Sequence, residues 1–224
     1  MVGAISEHDS GLGLISMTTG RARQGDIRRP QQKRSRKRVE QILDAANSLI
    51  AERGSAGMTI TEIAELAGIT PGSMYQYFPN KAAIINALAT RHLEEFSQRL
   101  EAELSSLPQS AEEMALAFDA LIEADYQTGL ADPAVRDIWQ GMAVDKALLE
   151  MFTAESHRNV AALTEAARPM VREAERDGLA VSISLMFHFA DSAIRVALGK
   201  PEAQGRADIE RIKSMLRLIW FSMV

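Results

Sequence analysis

Between Thr59 and Tyr77 two helix starts lie ten to twelve residues apart, with a glycine between them. Thr59 and Glu62 have the capping-box spacing, in which the threonine oxygen takes a backbone N–H and the carboxylate reaches back to the cap. Ile60, Ile63, Ala64 and Ala67 follow at helical intervals and make one apolar side. Gly68 suits the left-handed backbone that ends a helix. Thr70 then caps a second helix with Pro71 at its first position, where a missing N–H costs nothing. That helix carries Gly72, Ser73, Tyr75, Gln76 and Tyr77, small or hydrogen-bonding side chains with little to bury. Few folds accept such a pair. The pattern is a helix-turn-helix, and it makes duplex DNA the first partner to consider.

The remainder reads as helix throughout. A first helix is expected over about residues 36–52, a second over 61–67 and a third over 71–77. Asn80 caps a fourth, with Ile84, Ile85, Leu88, Leu93 and Phe96 at helical spacing. A fifth is expected over 111–129. Pro133 opens a short sixth, and Asp145 starts a long seventh that Pro169 ends or kinks. The eighth runs over 179–198 and the ninth over 207–223. No stretch alternates like a strand, so the fold class is all-α with about nine helices.

Absence of cysteine excludes disulfides, thiolate catalysis and cysteine-bound zinc. His188 and Asp191 are three apart on one helix, but two ligands do not make a metal site, and Asp191 with Arg195 fits an intrahelical ion pair. No glycine-rich phosphate loop or serine elbow occurs. No catalytic group, metal or cofactor is therefore expected. The alternatives are a helical enzyme or metal-binding protein and a nonspecific, architectural DNA binder. The apolar stretch 179–198 is interrupted by His188, Asp191 and Arg195, which makes it a buried helix rather than a membrane span. No secretion signal is seen, and a cytoplasmic protein is expected.

The net charge of −5, taken alone, argues against DNA. Its distribution does not. Residues 1–91 hold twelve Lys and Arg against eight Asp and Glu, whereas residues 92–224 hold 13 against 22. Nine of the basic residues lie between Arg21 and Arg38, Arg36 and Lys37 among them. A basic arm followed by an acidic body suits a DNA reader whose body should not cling to phosphate. Three divisions follow: a disordered basic arm at 1–34, a DNA-binding domain at 35–81 and a helical body at 82–224.

The block from about Arg36 to Lys81 resembles the DNA-binding domain of the tetracycline-repressor (TetR) family of bacterial transcription regulators. The resemblance is carried by Val39, Ile42, Leu43, Ala46, Leu49 and Ile50 with Glu52-Arg53-Gly54. It continues through Thr59-Ile60-Thr61-Glu62-Ile63-Ala64-Glu65-Leu66-Ala67-Gly68-Ile69-Thr70 and Gly72-Ser73-Met74-Tyr75-Gln76-Tyr77-Phe78-Pro79-Asn80-Lys81. One departure is Ala82, where the family often has an acidic residue after the lysine. An N-terminal charge of that kind is worth about 1 kcal/mol at most.

On this resemblance Thr70, Pro71, Gly72, Ser73 and Gln76 are the expected base readers, Gln76 having the amide that pairs bidentately with adenine. Tyr75, Tyr77, Thr59, Thr61, Lys81, Arg36 and Lys37 are the expected phosphate contacts. Phe78 is expected in the core. The resemblance also implies a small-molecule effector pocket among helices four to eight, for which Met114, Phe118, Tyr126, Trp139, Met142, Phe152, Phe187, His188 and Asp191 are the candidate lining. It implies a homodimer through the last two helices. There Ile212, Leu216, Ile219, Trp220 and Met223 form an apolar stripe. A twofold dimer would read a near-palindromic operator.

Overall fold

The computed structural model describes residues 28–106, 108–141 and 145–224, with side chains from residue 33 onward. Nine α-helices and no strands are found among the described residues. Residues 38–224 form one compact unit. The basic residues Arg21 and Arg23 and the pocket candidate Met142 lie outside the described residues.

Helix α1 (Arg28–Gly57) begins eight residues earlier than its apolar periodicity indicates. Residues 28–34, expected to be part of a disordered arm, are helical instead. Arg, Lys and Gln are good helix formers, and Pro30 sits in the first turn, where no intrahelical N–H bond is lost. The helix kinks at Gly54, whose φ of 76° is the left-handed region.

Helices α2 (Ile60–Leu66) and α3 (Pro71–Met74) start as the sequence indicates. Thr59 Oγ1 accepts from Glu62 N at 3.3 Å while Glu62 Oε2 accepts from Thr59 N at 2.9 Å. Gly68, with φ 65°, ends the first of the pair. Thr70 Oγ1 accepts from Ser73 N at 3.2 Å and opens the second. Helix α3 is shorter than expected. Gln76 N and Tyr77 N bond back three residues to Ser73 O and Met74 O, and the chain tightens into a turn before Pro79. Pro79 restricts Phe78 before it, so the chain could not have continued as helix past Tyr77 in any case.

Asn80, Ser110 and Asp145 cap α4 (Lys81–Ser105), α5 (Ala111–Ala131) and α7 (Lys146–Ala167) through their side chains. Asp132 Oδ1 accepts from Ala134 N at 2.8 Å at the start of α6 (Pro133–Gly141). Pro169 lies in a 3₁₀ turn that ends α7. The last pair is α8 (Leu179–Leu198) and α9 (Glu202–Met223).

Two apolar cores result. The head core gathers Ile42, Ala46, Ile50, Ile63, Met74, Ile84 and Leu88, and is joined by Ala134, Ile138 and Leu148 from α6 and α7. Phe78 is buried in it, as expected. The body core is built from α4, α5, α7, α8 and α9 around Leu100, Met114, Tyr126, Leu179 and Trp220. Trp139 on α6 packs against both.

Helix α9 corrects the expected dimer face. Leu216, Trp220 and Met223 are buried in the subunit's own core, and Trp220 Nε1 donates to Ala111 O at 2.8 Å. Ile212 packs against that core too, so of the five only Ile219 belongs to the exposed apolar set. The most regular apolar stripe of the helix went to the core because an internal core competes for the same residues as an interface. Besides Ile219, α9 exposes Met215, Leu218 and Phe221, and its neighbour α8 exposes Val181, Leu185, Phe189 and Val196. Helix α8 is long and apolar enough to cross a membrane by length and composition. One of its sides is buried in the chain's own core, through Leu179, Ile183, Met186, Ile194 and Ala197.

Candidate functional site

The short helix α3 is a presented element. Met74 and Phe78 anchor it in the head core, while Thr70, Pro71, Gly72, Tyr75 and Gln76 are exposed. Tyr75 keeps 58% of its surface. Gly72 has nothing within 4 Å of where a Cβ would stand, so its backbone is open to close approach. Thr70, Pro71 and Gly72 lie at the helix N-terminus, and Tyr75 and Gln76 at and just past its C-cap, so hydrogen-bonding side chains flank the short helix at both ends.

Other expected contacts divide by what their polar atoms already do. Thr61, Arg36 and Lys37 are exposed. The Thr59 hydroxyl donates to Glu62 Oε2 at 2.7 Å as part of its cap. Ser73 is half-buried with its hydroxyl 2.9 Å from Thr70 Oγ1, and Tyr77 packs partly on the head core. Lys81 differs most from expectation. Its Nζ donates to Ser55 O, Ala56 O and Met58 O at 3.1, 3.3 and 3.4 Å. An ammonium has three donors, and all three are turned onto the carbonyls of the short segment after the Gly54 kink. Lys81 therefore ties α1 to the start of α4 rather than pointing outward.

Further ties fasten the head, and sequence reasoning missed them. Arg38 Nη1 donates to Ala67 O at 3.5 Å, holding α1 to the turn. Arg91 on α4 pairs with Asp44 on α1 at 3.0 Å. Asp137 on α6 accepts from Ser55 N at 2.9 Å, beside the kink at Gly54, and Asp132 accepts from Asn47 Nδ2 at 2.8 Å. No local pattern announces such pairs, because their partners lie tens of residues away.

Behind the head a cavity opens among α4, α5, α6, α7 and α8, with an unfilled volume of about 900 Å³ including its mouth. Of the nine expected lining residues, Phe118, Trp139, Phe152, Phe187 and Asp191 face it. Met114 and Tyr126 do not. Both are fully buried in the body core, Tyr126 beneath the Arg206 guanidinium. His188 does not line it either. The residue is exposed on α8, with Nδ1 2.7 Å from Ser184 O and Nε2 3.5 Å from the hydroxyl of Ser156, which does line it.

Several lining groups were missed: His92 and Phe96 on α4, Asp125 on α5, and Ser156 and Asn159 on α7. A signal existed. Asp125 interrupts the apolar run Leu121, Ile122, Tyr126, and His92 continues the run Leu88, Ala89, so each puts a polar group on an apolar face. Burial pushes the Asp125 carboxyl up to about 7, against the opposing pull of Arg99. Asp191 is raised by burial as well, with Arg195 paired to it. Burial lowers the His92 imidazole below the usual histidine range, so it is neutral. Among the described residues no group of three potential metal ligands occurs.

Two family models match the chain. One, for bacterial regulatory proteins of the tetR family, covers residues 42–88; the other, a tetracyclin repressor-like C-terminal domain, covers residues 112–221. The fatty acid metabolism regulator protein of Bacillus subtilis is 34% identical over 84 residues, 38% of this chain and 43% of that protein. The transcriptional repressor KstR2 of Rhodococcus jostii is 30% identical over 123 residues, 54% of this chain and 58% of that one. The chain thus aligns with about half the length of these relatives. Among solved structures, SmeT, the repressor of a Stenotrophomonas maltophilia multidrug efflux pump, is 22% identical, with a TM-score of 0.64 over 83% of this chain and 90% of that one. It shares the fold.

Proposed function

The chain belongs to the TetR family of bacterial regulatory proteins, and on that premise we propose that it is a homodimeric repressor of transcription, released from its operator by a small molecule. The carrying observation is α3. It is a stubby helix locked from below by Met74 and Phe78, with Gln76, Tyr75 and the Thr70–Gly72 start turned to solvent. A helix presented this way reads bases in the major groove, while Thr61, Arg36 and Lys37 hold phosphates. The exposed apolar residues of α8 and α9 support pairing of two copies in a four-helix bundle. Such a dimer would set its two α3 helices about 34–36 Å apart, one turn of DNA, over a near-palindromic site.

In this reading the cavity is the effector site. A ligand that favours one spacing of the two heads shifts the population away from the DNA-bound one by its differential affinity. The protein acts in the cytoplasm and is a regulator, not an enzyme. The test is to select bound fragments from the source genome and measure affinity for the selected and random duplexes across salt concentrations. Gln76→Ala is expected to lower discrimination by about 1–3 kcal/mol at one base position. Equal affinity for selected and random duplexes would make the protein a nonspecific binder and overturn the proposal.

A further inference from the structure

The cavity wall is aromatic, formed by Phe96, Phe118, Phe152, Phe187 and Trp139, and polar groups break it: Ser156 and Asn159, which already meet His188 and Ser97, and two corners that lack such partners. His92 is 8% exposed, and neither of its ring nitrogens has a hydrogen-bond partner. Glu95 stands 3.8 Å away, beyond hydrogen-bond reach. At the other corner the Asp125 carboxylate is 3.7 Å from the Arg99 guanidinium, again too far for a hydrogen bond. Asp191 beside it is already taken by Arg195. The charges that act on Asp125 are Arg99, Asp191 and Arg195, and those that act on His92 are Glu95, Arg91 and Asp132.

Buried polar groups normally have partners, and leaving them without is costly. What would supply them follows from charge. An incoming anion finds no cation on the lining, since neither Arg99 nor Arg195 borders the cavity while Asp125 and Asp191 do. An incoming cation must shed its water among aromatic rings, opposite a corner whose two acids already face two guanidinium groups. A hydroxyl meets neither difficulty. It both donates and accepts, so it satisfies a neutral imidazole in either tautomer and Asp125 whether protonated or ionised. Resting on the effector reading of this cavity, we propose that its ligand is an uncharged aromatic compound bearing hydroxyl groups, its rings stacked among the phenylalanines and its hydroxyls on Asp125 and His92. Nothing in this assignment requires a metal or a covalent step.

The experiment compares para-phenylphenol, biphenyl, para-phenylbenzoate and para-phenylbenzylamine, one skeleton with four head groups, by equilibrium dialysis against the full-length protein. The phenol is expected to bind at least about tenfold more tightly than each of the others, the size of one or two net hydrogen bonds. Asp125→Leu and His92→Phe should each narrow the preference for phenol over biphenyl, while Asp125→Asn, which keeps a donor and an acceptor, retains most of it. Equal or tighter binding of the acid or the amine overturns the proposal. So does no binding of any of the four, or a preference unchanged in both apolar variants. Duplex affinity is measured in parallel. Specific duplex binding without a hydroxyl preference removes the ligand class and leaves the regulator. A hydroxyl preference with no influence of the phenol on duplex affinity removes the effector reading and leaves the ligand class.

Discussion

The head and the body of this chain use polar side chains in opposite ways. In the head they hold backbone. Thr59, Thr70 and Asn80 cap helices, Arg38 and Lys81 close carbonyls, and Asp137 receives the amide after the kink. In the body, His92 has no partner and Asp125 only a distant one, and both face a cavity. The contrast teaches what each part is for. On the proposed reading, a head that holds one geometry closes most of its hydrogen bonds internally, Asn47 Oδ1 and Asn86 Oδ1 excepted, while a receptor keeps some of its own open for its ligand.

The largest expected effect tests how differently the two parts are packed. Met74 is fully buried in the head core beneath α3, whereas Phe187 borders the cavity and is only partly buried. Met74→Ala is expected to destabilise by about 2–5 kcal/mol. Phe187→Ala starts beside existing empty space and should fall below the usual range of about 3–5 kcal/mol for phenylalanine truncation. Urea midpoints at unchanged m report both. A larger loss at Phe187 than at Met74 would break the comparison.

Legibility divides along the same line. The head could be read because its signals are local: Thr59 to Glu62, Gly68, Thr70 before Pro71, Phe78 after the short helix. Chain neighbours make those contacts, so spacing alone reveals them. Body positions depend on which face of a helix wins the core. The stripe Leu216, Trp220, Met223 was rightly seen as apolar and assigned to the wrong neighbour, because periodicity says that a face is buried and not against what. Met114 and Tyr126 were misplaced for that reason. Asp125 and His92 were visible as polar residues on apolar faces, but only the packed helices bring both to one cavity. The α1 start at Arg28 was hidden by charge, since a basic run without apolar periodicity looks like an arm even where its residues favour helix.

The second expected effect concerns Asp125. An unfolded aspartate has a pKa of about 3.9, whereas burial lifts this one to about 7. The folded protein therefore holds the proton more tightly, and the stability from this group is complete below the unfolded value and lost as pH rises through 7. Asp125→Asn does not titrate. Relative to the native chain it should gain roughly 2–3 kcal/mol between pH 5 and pH 8, two units of differential ionisation. Denaturant midpoints of the two proteins at each pH measure the gap. A gap that shrinks with rising pH would show a carboxylate stabilised by its ion pairs, and the body would resemble the head.

Lys81 comes next. Lys81→Met keeps the aliphatic stem and removes the three bonds to the carbonyls of Ser55, Ala56 and Met58, for an expected loss of about 1–2 kcal/mol. Its effect on DNA separates two uses of the same residue. If the ammonium neutralises a phosphate, the substitution lowers the salt slope by about 1. If it only ties α1 to α4, the substitution weakens all duplexes alike and leaves that slope unchanged. The three hydrogen bonds to carbonyls predict the unchanged slope.

Gly72 carries the smallest stability effect and the sharpest separation of folding from reading. Nothing stands within 4 Å of a Cβ built there, and the residue lies in α3, where alanine is the better helix former. Gly72→Ala should therefore leave stability unchanged or raise it by up to about 1 kcal/mol. The same methyl group, facing solvent on the presented side of α3, would stand between the backbone and a base edge. Affinity for the selected operator is expected to fall while that for random duplex stays near its original value, because nonspecific binding rests on phosphates that the methyl does not touch. If thermal stability rises and operator affinity is untouched, α3 does not approach DNA through its Gly72 side, and the base readers must be sought around Tyr75 and Gln76 alone.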